Sequence, residues 1–580
     1  MKTTFRCLQM TAGRCVMLSL FLLLTCAFNW AAEPKMCGEH GQETLNPYGD
    51  LKSNYMTDLK VVGICDINGT PAQGDSLLYA FHNVNIVDGG KLIFHDDFNV
   101  DFYAESILVE NGGTLTAVST NVGYLPRASK AASALPFQKR LTFHLWGQLT
   151  DPGITCASAL QSGGAPCGIP DKVWASNTIM AMDLMMNPPP PPPSPKNKGC
   201  KSIPGYSQFL PGDDCFYQYE IQDKQDKASG TKAYFGHKVL AVSFGGTLQL
   251  FGSKGVSYLQ NGQQCTPSVP NTECNPAFTG TSWVRLTGST GATQISLSRT
   301  VDWKKGDHVV VTPTDYLPSH AEEVILAKDA SETGGNMLEL EAPGLEYSHR
   351  ATTFPLGAMP DKIGPQNDPN VPDINRAVDT RAAVGLLTRN IQIVSQGNLP
   401  SDGFPAIAGN YFGGHTMVRQ GFASYQVQGV MFYQLGQGGV IGRYPVHFHM
   451  DRKTPQPAAN ADDPTPEPLN YVKDCSIWDS MTRWVTVHAT EGMYLARNVG
   501  FESIGHGYYL EDATEIDNKF YSNLGVLARA AIRDKIQNPR QVPGILADTR
   551  PRDPAQHNDD YFPYRSDYNH PTVFWITNGW

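Results

Sequence analysis

Apolar and polar positions alternate with a period of two over short runs along most of this chain, which is the mark of half-buried β-strands. Between Leu77 and Gly147 the runs NVNIVDGGKLIFHDD, AESILVENGGTLTAV and RLTFHLWGQ are punctuated by Gly-Gly turns, repeating "strand, GG turn, strand" at intervals of about twenty residues. Strands resume at 236–252 (GHKVLAVSFGGTLQLFG) and again from 381, after a loop-like stretch over 350–375. The segments MFYQLG (431–436), SIWDSMT (476–482), VGFESIG (499–505) and FYSNLG (520–525) superimpose, with Leu435, Met481, Ile504 and Leu524 at a common step. The last three are spaced 23 and 20 residues apart, the length of one coil of a parallel β-solenoid.

The stretch from Gly442 to Asp512 carries the chemistry. It contains GRYPVHFHMD, RWVTVHATEG and IGHGYYLEDA. Side chains alternate faces along a strand, so Val446, Phe448, Val485, Val487 and Tyr508 point inward. His447, His449, His488, Tyr509 and Glu511 then share the outer face. Counted from Met481 and Ile504, His488 and Glu511 fall at the same step and stack about 4.8 Å apart. His449 joins them once GQGGVIG is looped out. The expected product is a polar strip on an outer wall, with Asp451 and Asp512 beside it. His415 and His506 follow glycines and are left unassigned. Cys475 falls on the inward face beside Ile477 and reads as a buried free thiol.

Composition narrows the class. With 17% charged residues and many Gly and Pro, the 580-residue chain reads as β-rich and extracellular. Lys2, Arg6 and Arg14 precede an apolar run from Val16 to Phe28 and small residues at Ala31 and Ala32, a secretory signal too short to span a bilayer comfortably. No later stretch is apolar enough to cross a membrane. The expected location is secreted and extracellular, or periplasmic for a Gram-negative source. Of twelve cysteines, nine lie beyond the signal, and local spacing suggests the disulfides Cys37–Cys65, Cys156–Cys167, Cys200–Cys215 and Cys265–Cys274. Residues 148–230 break the strand pattern and hold Pro188 to Pro193, an extended polyproline insertion or tether. A net charge of −10 argues against bulk polyanion binding and gives nucleic acid no support. An acidic ligand needs a local patch, for which Arg443, Arg452, Lys453 and Arg483 are at hand. Asp307, in the turn WKKGDH, reads as a turn cap, and Asn68-Gly-Thr as a glycosylation acceptor in a eukaryote.

FGGTLQLFG, VDWKKGD with TPTDY and AEE, RAAVGLLTRNI, GGH at 413–415, GRYPVHFHM, VTVH and NVGFESIGHGYYLED occur in the order found in one family. The chain resembles, from about residue 70 onward, the family of the cell migration-inducing hyaluronan-binding protein, transmembrane protein two and the fibrocystin-like proteins. The resemblance implies an all-β fold: a glycine-rich N-terminal G-eight domain followed by a right-handed parallel β-helix. It also implies secretion or surface display, hyaluronan binding or depolymerisation, and calcium as a cofactor. Ala383 departs from the carboxylate usual in the family, and the family's later coils and C-terminal domains are missing from this sequence. The corresponding organisation is a signal peptide over 1–32, a lead-in over 33–70, a G-eight-like β domain over 71–180, a Pro/Cys-rich insertion over 181–230, a β domain leading into a helix cap over 231–350, and the β-helix over 351–580. The sequence stops on an apolar strand, so the expectation is a fragment or a covered end.

Three chemistries use the same strip. A glycosidase needs an acid and a base or nucleophile across the scissile bond. Adjacent Glu511 and Asp512 face opposite sides of a strand, so Glu511 with Asp451 is the better pair, with His488 holding or sharing the proton. Arg443 and Arg483 would bind a sugar carboxylate, and Tyr509 would stack on a sugar face; Trp484 reads as either a stacking or a core residue. A polysaccharide lyase would instead use one histidine to abstract the proton beside a uronate carboxylate. A metal site would draw on His447, His449, His488 and Glu511, a donor set suited to zinc or another first-row divalent ion. The partner expected in each case is an extracellular, hyaluronan-like polysaccharide. The alternatives are a non-catalytic carbohydrate-binding or adhesion module on the same scaffold, or a histidine–glutamate ladder that serves only as a structural rib.

Overall fold

The computed structural model describes residues 34–117, 136–147, 238–256, 281–354, 378–404, 412–456, 469–529 and 571–576, apart from positions 49–50, 52–54, 73, 244, 420, 439–441 and 512. The expected signal, the proline run, the three expected disulfides beyond Cys65 and most of the Arg452–Asn470 loop lie outside these residues. Among the described residues the fold is all-β, with two short 3-10 turns.

Parallel strands wind into a β-helix with three ladders. The first, on which the histidines lie, stacks Val239–Val242, His415–Arg419, Val446–Lys453, Val485–Glu491, Tyr508–Leu510 and Phe574–Ile576 in sequence. The second runs from Gln42–Leu45 to Lys519–Tyr521. The third carries Leu141–Leu145, Ile391–Ser395, Val430–Tyr433, Ser476–Trp478, Val499–Ile504 and Leu524–Arg529. Two long strands, Ser76–Ile86 and Asn99–Val109, belong to both the first and third ladders: Asn99–Val109 pairs with Leu141–Leu145 through its first half and with Val239–Val242 through its second. The glycine-punctuated N-terminal region is therefore hydrogen-bonded in parallel to the later coils. Gly90, Gly113 and Gly246 are small because a Cβ at each would meet the carbonyl of the preceding coil at 2.1–2.2 Å.

Alternation explains the core. Val446, Phe448, Val485, Val487 and Tyr508 are buried in one cluster with Ile391, Ile393, Phe432 and Ile477. Cys475 is a buried free thiol in the same cluster, and the Cys37–Cys65 disulfide is formed. Trp484 is a core residue; it fills space that Gly500 and Gly507 leave open, where a Cβ would fall 2.3 Å from its ring. The superposition of FYSNLG on VGFESIG is five residues out. Val499 pairs with Leu524, and Ile504 with Arg529. Lys519–Tyr521 still belongs to the second ladder, and the chain turns the corner at Ser522 with φ 53° before the third begins.

Between Phe251 and Ile391 the chain leaves the helix to form a six-stranded antiparallel sheet with its own core around Trp303, Val309 and Leu338. It lies against the outer face of the third ladder, where Val310 and Leu387 meet Val394, Met431, Trp478, Val499 and Phe501. Asp307 holds its turn as expected, accepting from the Lys304 amide at 2.7 Å, Lys254 Nζ at 2.6 Å and Thr388 Oγ1 at 2.8 Å.

Candidate functional site

The register places the histidines by simple pairing. Val446 faces Val485, His447 faces Thr486, and His449 faces His488. Val487 faces Leu510, so Glu511 follows at the step of His488. Two outer columns result, Met417–His447–Thr486–Tyr509–Trp575 and Arg419–His449–His488–Glu511.

Imidazole centres lie 4.9 Å apart for His447 and His449, 5.1 Å for His449 and His488, and 6.1 Å for His447 and His488. One nitrogen from each of the three falls within 4.8 Å of the others. His447 Nδ1 donates to the Gly442 carbonyl at 2.9 Å, which turns its Nε2 toward the cluster. That Nε2 and His449 Nδ1 are buried without a hydrogen-bond partner among the described residues. Glu511 stands at the rim: its Oε2 is 3.7 Å from His488 Nδ1 and 3.5 Å from Arg483 Nη1.

The strip points away from the core, as alternation requires, but it is roofed rather than open. His447, His488, Arg443, Arg483 and Asp451 are all buried. The Arg483 guanidinium lies 3.5 Å from the Tyr509 ring centre and 4.8 Å from that of Tyr444, and Tyr444 in turn packs 4.8 Å from His447. Tyr509 thus stacks on an arginine. Arg443 is packed against Met417, with Nη1 3.9 Å from the sulfur.

Asp451 sits apart from Glu511, in a bulge where the register slips between His449 and Arg452 and where Met450 and Arg452 take φ of 56° and 57°. Its amide and carboxylate meet Thr490 Oγ1 at 3.0 and 3.4 Å, and its Oδ1 has no partner among the described residues. Burial pushes its carboxyl up to about 8, against the pull of Arg419. Burial also holds His447 and His449 well below the usual imidazole range, with the neighbouring imidazoles adding to it, and brings Arg443 down to about 10. His506 stacks beside Tyr509 with ring centres 5.2 Å apart, its Nδ1 3.1 Å from Thr572 Oγ1 and its ring 4.6 Å from that of Trp575. His415 is buried beside Gln437.

Two participants were missed from sequence. Arg419 is the ladder neighbour of His449, and alternation through HTMVR would have put it on the outer face. Tyr444 has no such signal, because it precedes its strand and acts through the turn Gly442–Pro445.

Residues 411–580 match the CEMIP beta-helix family. The chain is 29% identical over 306 residues to the cell migration-inducing and hyaluronan-binding protein of Mus musculus, covering 51% of this chain and 20% of that protein. It is 32% identical over 232 residues to the cell surface hyaluronidase CEMIP2 of Homo sapiens, covering 39% and 14%. A G8 domain-containing protein of Dictyostelium discoideum is 29% identical over 275 residues, covering 47% and 15%. The chain thus spans a fifth or less of the length of each of these relatives. No helix among the described residues is long and apolar enough to cross a membrane. By its matched coils and by these relatives, the chain is similar to the CEMIP β-helix and G8 domain-containing proteins.

Proposed function

We propose that this chain acts outside the cell on a hyaluronan-like polysaccharide, through the wall that carries His447, His449, His488 and Glu511. The observation that carries the reading is the convergence, from strands distant in sequence, of His447, His449 and His488 with Arg419 in the same ladder and with Glu511 and Arg483 at its rim. Two of the chain's relatives are named for hyaluronan binding or hyaluronidase activity.

A uronate-bearing polymer presents one carboxylate per repeat. Arg443 and Arg483 supply guanidinium groups for it, and Arg419 adds a third. Tyr509 and Tyr444 flank Arg483 and offer flat apolar surface to a sugar ring. Glu511, beside His488, is the base or nucleophile, and Asp451 the complementary acid. The roofing of the strip means that a polymer gains access by displacing the Tyr444–Arg483–Tyr509 stack. That same roofing favours, as a second reading, a binding module that clasps the chain without cutting it.

The test is incubation of the purified protein with high-molecular-weight hyaluronan, followed by chain-length analysis and by ultraviolet detection of unsaturated uronate ends. Shortening that Glu511→Gln abolishes while oligosaccharide binding persists supports catalysis, and unsaturated ends assign it to elimination. Binding without shortening supports the module. Absence of both binding and shortening refutes the proposal.

A further inference from the structure

We propose that His447, His449 and His488 form a three-imidazole site for a first-row divalent transition ion, of the zinc or cobalt class, with a fourth position open toward Glu511. This deepens the reading above and rests on it only for the use to which the ion is put; the donor set itself stands on geometry.

Imidazole nitrogens bound at about 2.1 Å to a tetrahedral ion lie roughly 3.4 Å from one another, with ring centres about 5 Å apart. The three ring-centre separations here are 4.9, 5.1 and 6.1 Å. The nitrogens, within 4.8 Å of one another, need only small side-chain rotations to converge on one ion.

The tautomer points the same way. A ligating histidine generally donates its other N–H to a backbone carbonyl or a carboxylate, which fixes the ring and leaves a lone pair for the metal. His447 does this with the Gly442 carbonyl. His488 turns Nδ1 toward Glu511. The buried lone-pair positions of His447 Nε2 and His449 Nδ1 have no hydrogen-bond partner among the described residues, a costly arrangement that a bound cation would relieve.

Simple stacking of like residues on successive coils does not account for the cluster, because it draws on two columns. His449 and His488 share one; His447 stands in the other, where its coil neighbour is Thr486. Three nitrogen donors, with a carboxylate held just beyond them, match the sites in which zinc keeps one position for water or substrate. Borderline nitrogen donors favour zinc, cobalt or nickel over calcium, which takes six or more oxygens.

The full chain is stripped with a chelator, reloaded with Zn2+ or Co2+, and assayed without polysaccharide. The expected result is about one equivalent of zinc retained through gel filtration, and a visible Co2+ spectrum of low coordination number. Both should be lost in His449→Ala and kept in His320→Ala, whose imidazole bonds Asp315 in the connection between two strands of the antiparallel sheet. Glu511→Gln should weaken retention by about 10–100-fold, as the loss of an orienting neighbour does. If the histidine variants fail to fold by circular dichroism, X-ray absorption of the zinc-loaded wild type decides: a shell of about three imidazole nitrogens supports the site. Folded wild-type protein that retains no zinc, retention unchanged in His449→Ala, or a shell without imidazole overturns it. Hyaluronan binding is measured separately on loaded and stripped protein, so a metal site without polysaccharide binding removes the functional reading and leaves this one intact.

Discussion

Two groups of histidines decorate the outer walls of one solenoid, and they are treated in opposite ways. In the N-terminal coils three imidazoles have carboxylate partners. His82 bridges Asp58 at 3.0 Å and Glu105 at 2.7 Å, His95 meets Asp66 at 2.9 Å, and His144 meets Asp101 at 3.0 Å while stacking on Tyr103 at 4.0 Å. In the C-terminal coils His447, His449 and His488 face one another, and Glu511 Oε2 approaches His488 at 3.7 Å. A carboxylate beside an imidazole stabilises the charged ring and serves the fold. Imidazoles massed in a buried place suppress one another's charge and leave lone pairs unused, so they serve the fold poorly and are suited to bind something. The same stacking rule thus produces structural ribs at one end and a candidate centre at the other.

The largest expected effect is on the scaffold of the C-terminal wall. Trp484→Ala should lower stability by about 3–5 kcal/mol, because the glycines around its ring leave a cavity that cannot close; a thermal melt with loss of polysaccharide binding checks it. Next comes the N-terminal network. Asp101→Asn should cost about 1–3 kcal/mol, since Arg140 bonds both carboxylate oxygens, at 2.6 and 2.7 Å, and partial exposure screens the pair. Burial alone would raise the Asp101 carboxyl, but hydrogen bonds from Arg140 and His144 hold it below the usual range. Its contribution is therefore complete above an ordinary carboxylate value of about 4 and is lost as pH falls through the lowered one. Melts of the Asn variant should lack that acid-side decline.

Removing single histidines should then sharpen the contrast. His82→Ala leaves Asp58 and Glu105 without their bridge and should cost about 2 kcal/mol or more, whereas His449→Ala should cost about 1 kcal/mol or less. Equal losses would break the comparison. The smallest effect is a slope. Lys238, buried and donating to the carbonyls of Gln396 and Phe412, is brought down to about 7 by burial. The unfolded ammonium titrates near about 10, so the folded state binds fewer protons between these values and stability rises with pH across that window. Lys238→Met should flatten the rise, as read from melts at stepped pH.

Much of this was legible in the chain because the period of two is a local property. Val446 and Phe448 inward, His447 and His449 outward, and Glu511 one coil beyond His488 all follow from counting. The slip at Leu524 shows where counting fails: the coil has already lengthened between Leu510 and Lys519, where Val487 pairs with Leu510 but Leu495 with Phe520, and FYSNLG straddles the corner between the second and third ladders. Burial of the strip was not legible, because contacts such as those of Arg483 with the Tyr444 and Tyr509 rings join residues distant in sequence. Nor was the antiparallel pairing of the domain read over 231–350, or the fact that Ala383–Leu386, which reads as opening the coils, is one of its strands.

The most direct test of the central claim is the affinity for a hyaluronan oligosaccharide, by titration calorimetry, of wild type and of a variant with His447, His449 and His488 all changed to Ala. The account predicts binding weakened at least tenfold, about 1.4 kcal/mol, with the melting temperature within a few degrees of wild type. Unchanged affinity together with a large drop in melting temperature would make the cluster a structural rib and contradict it.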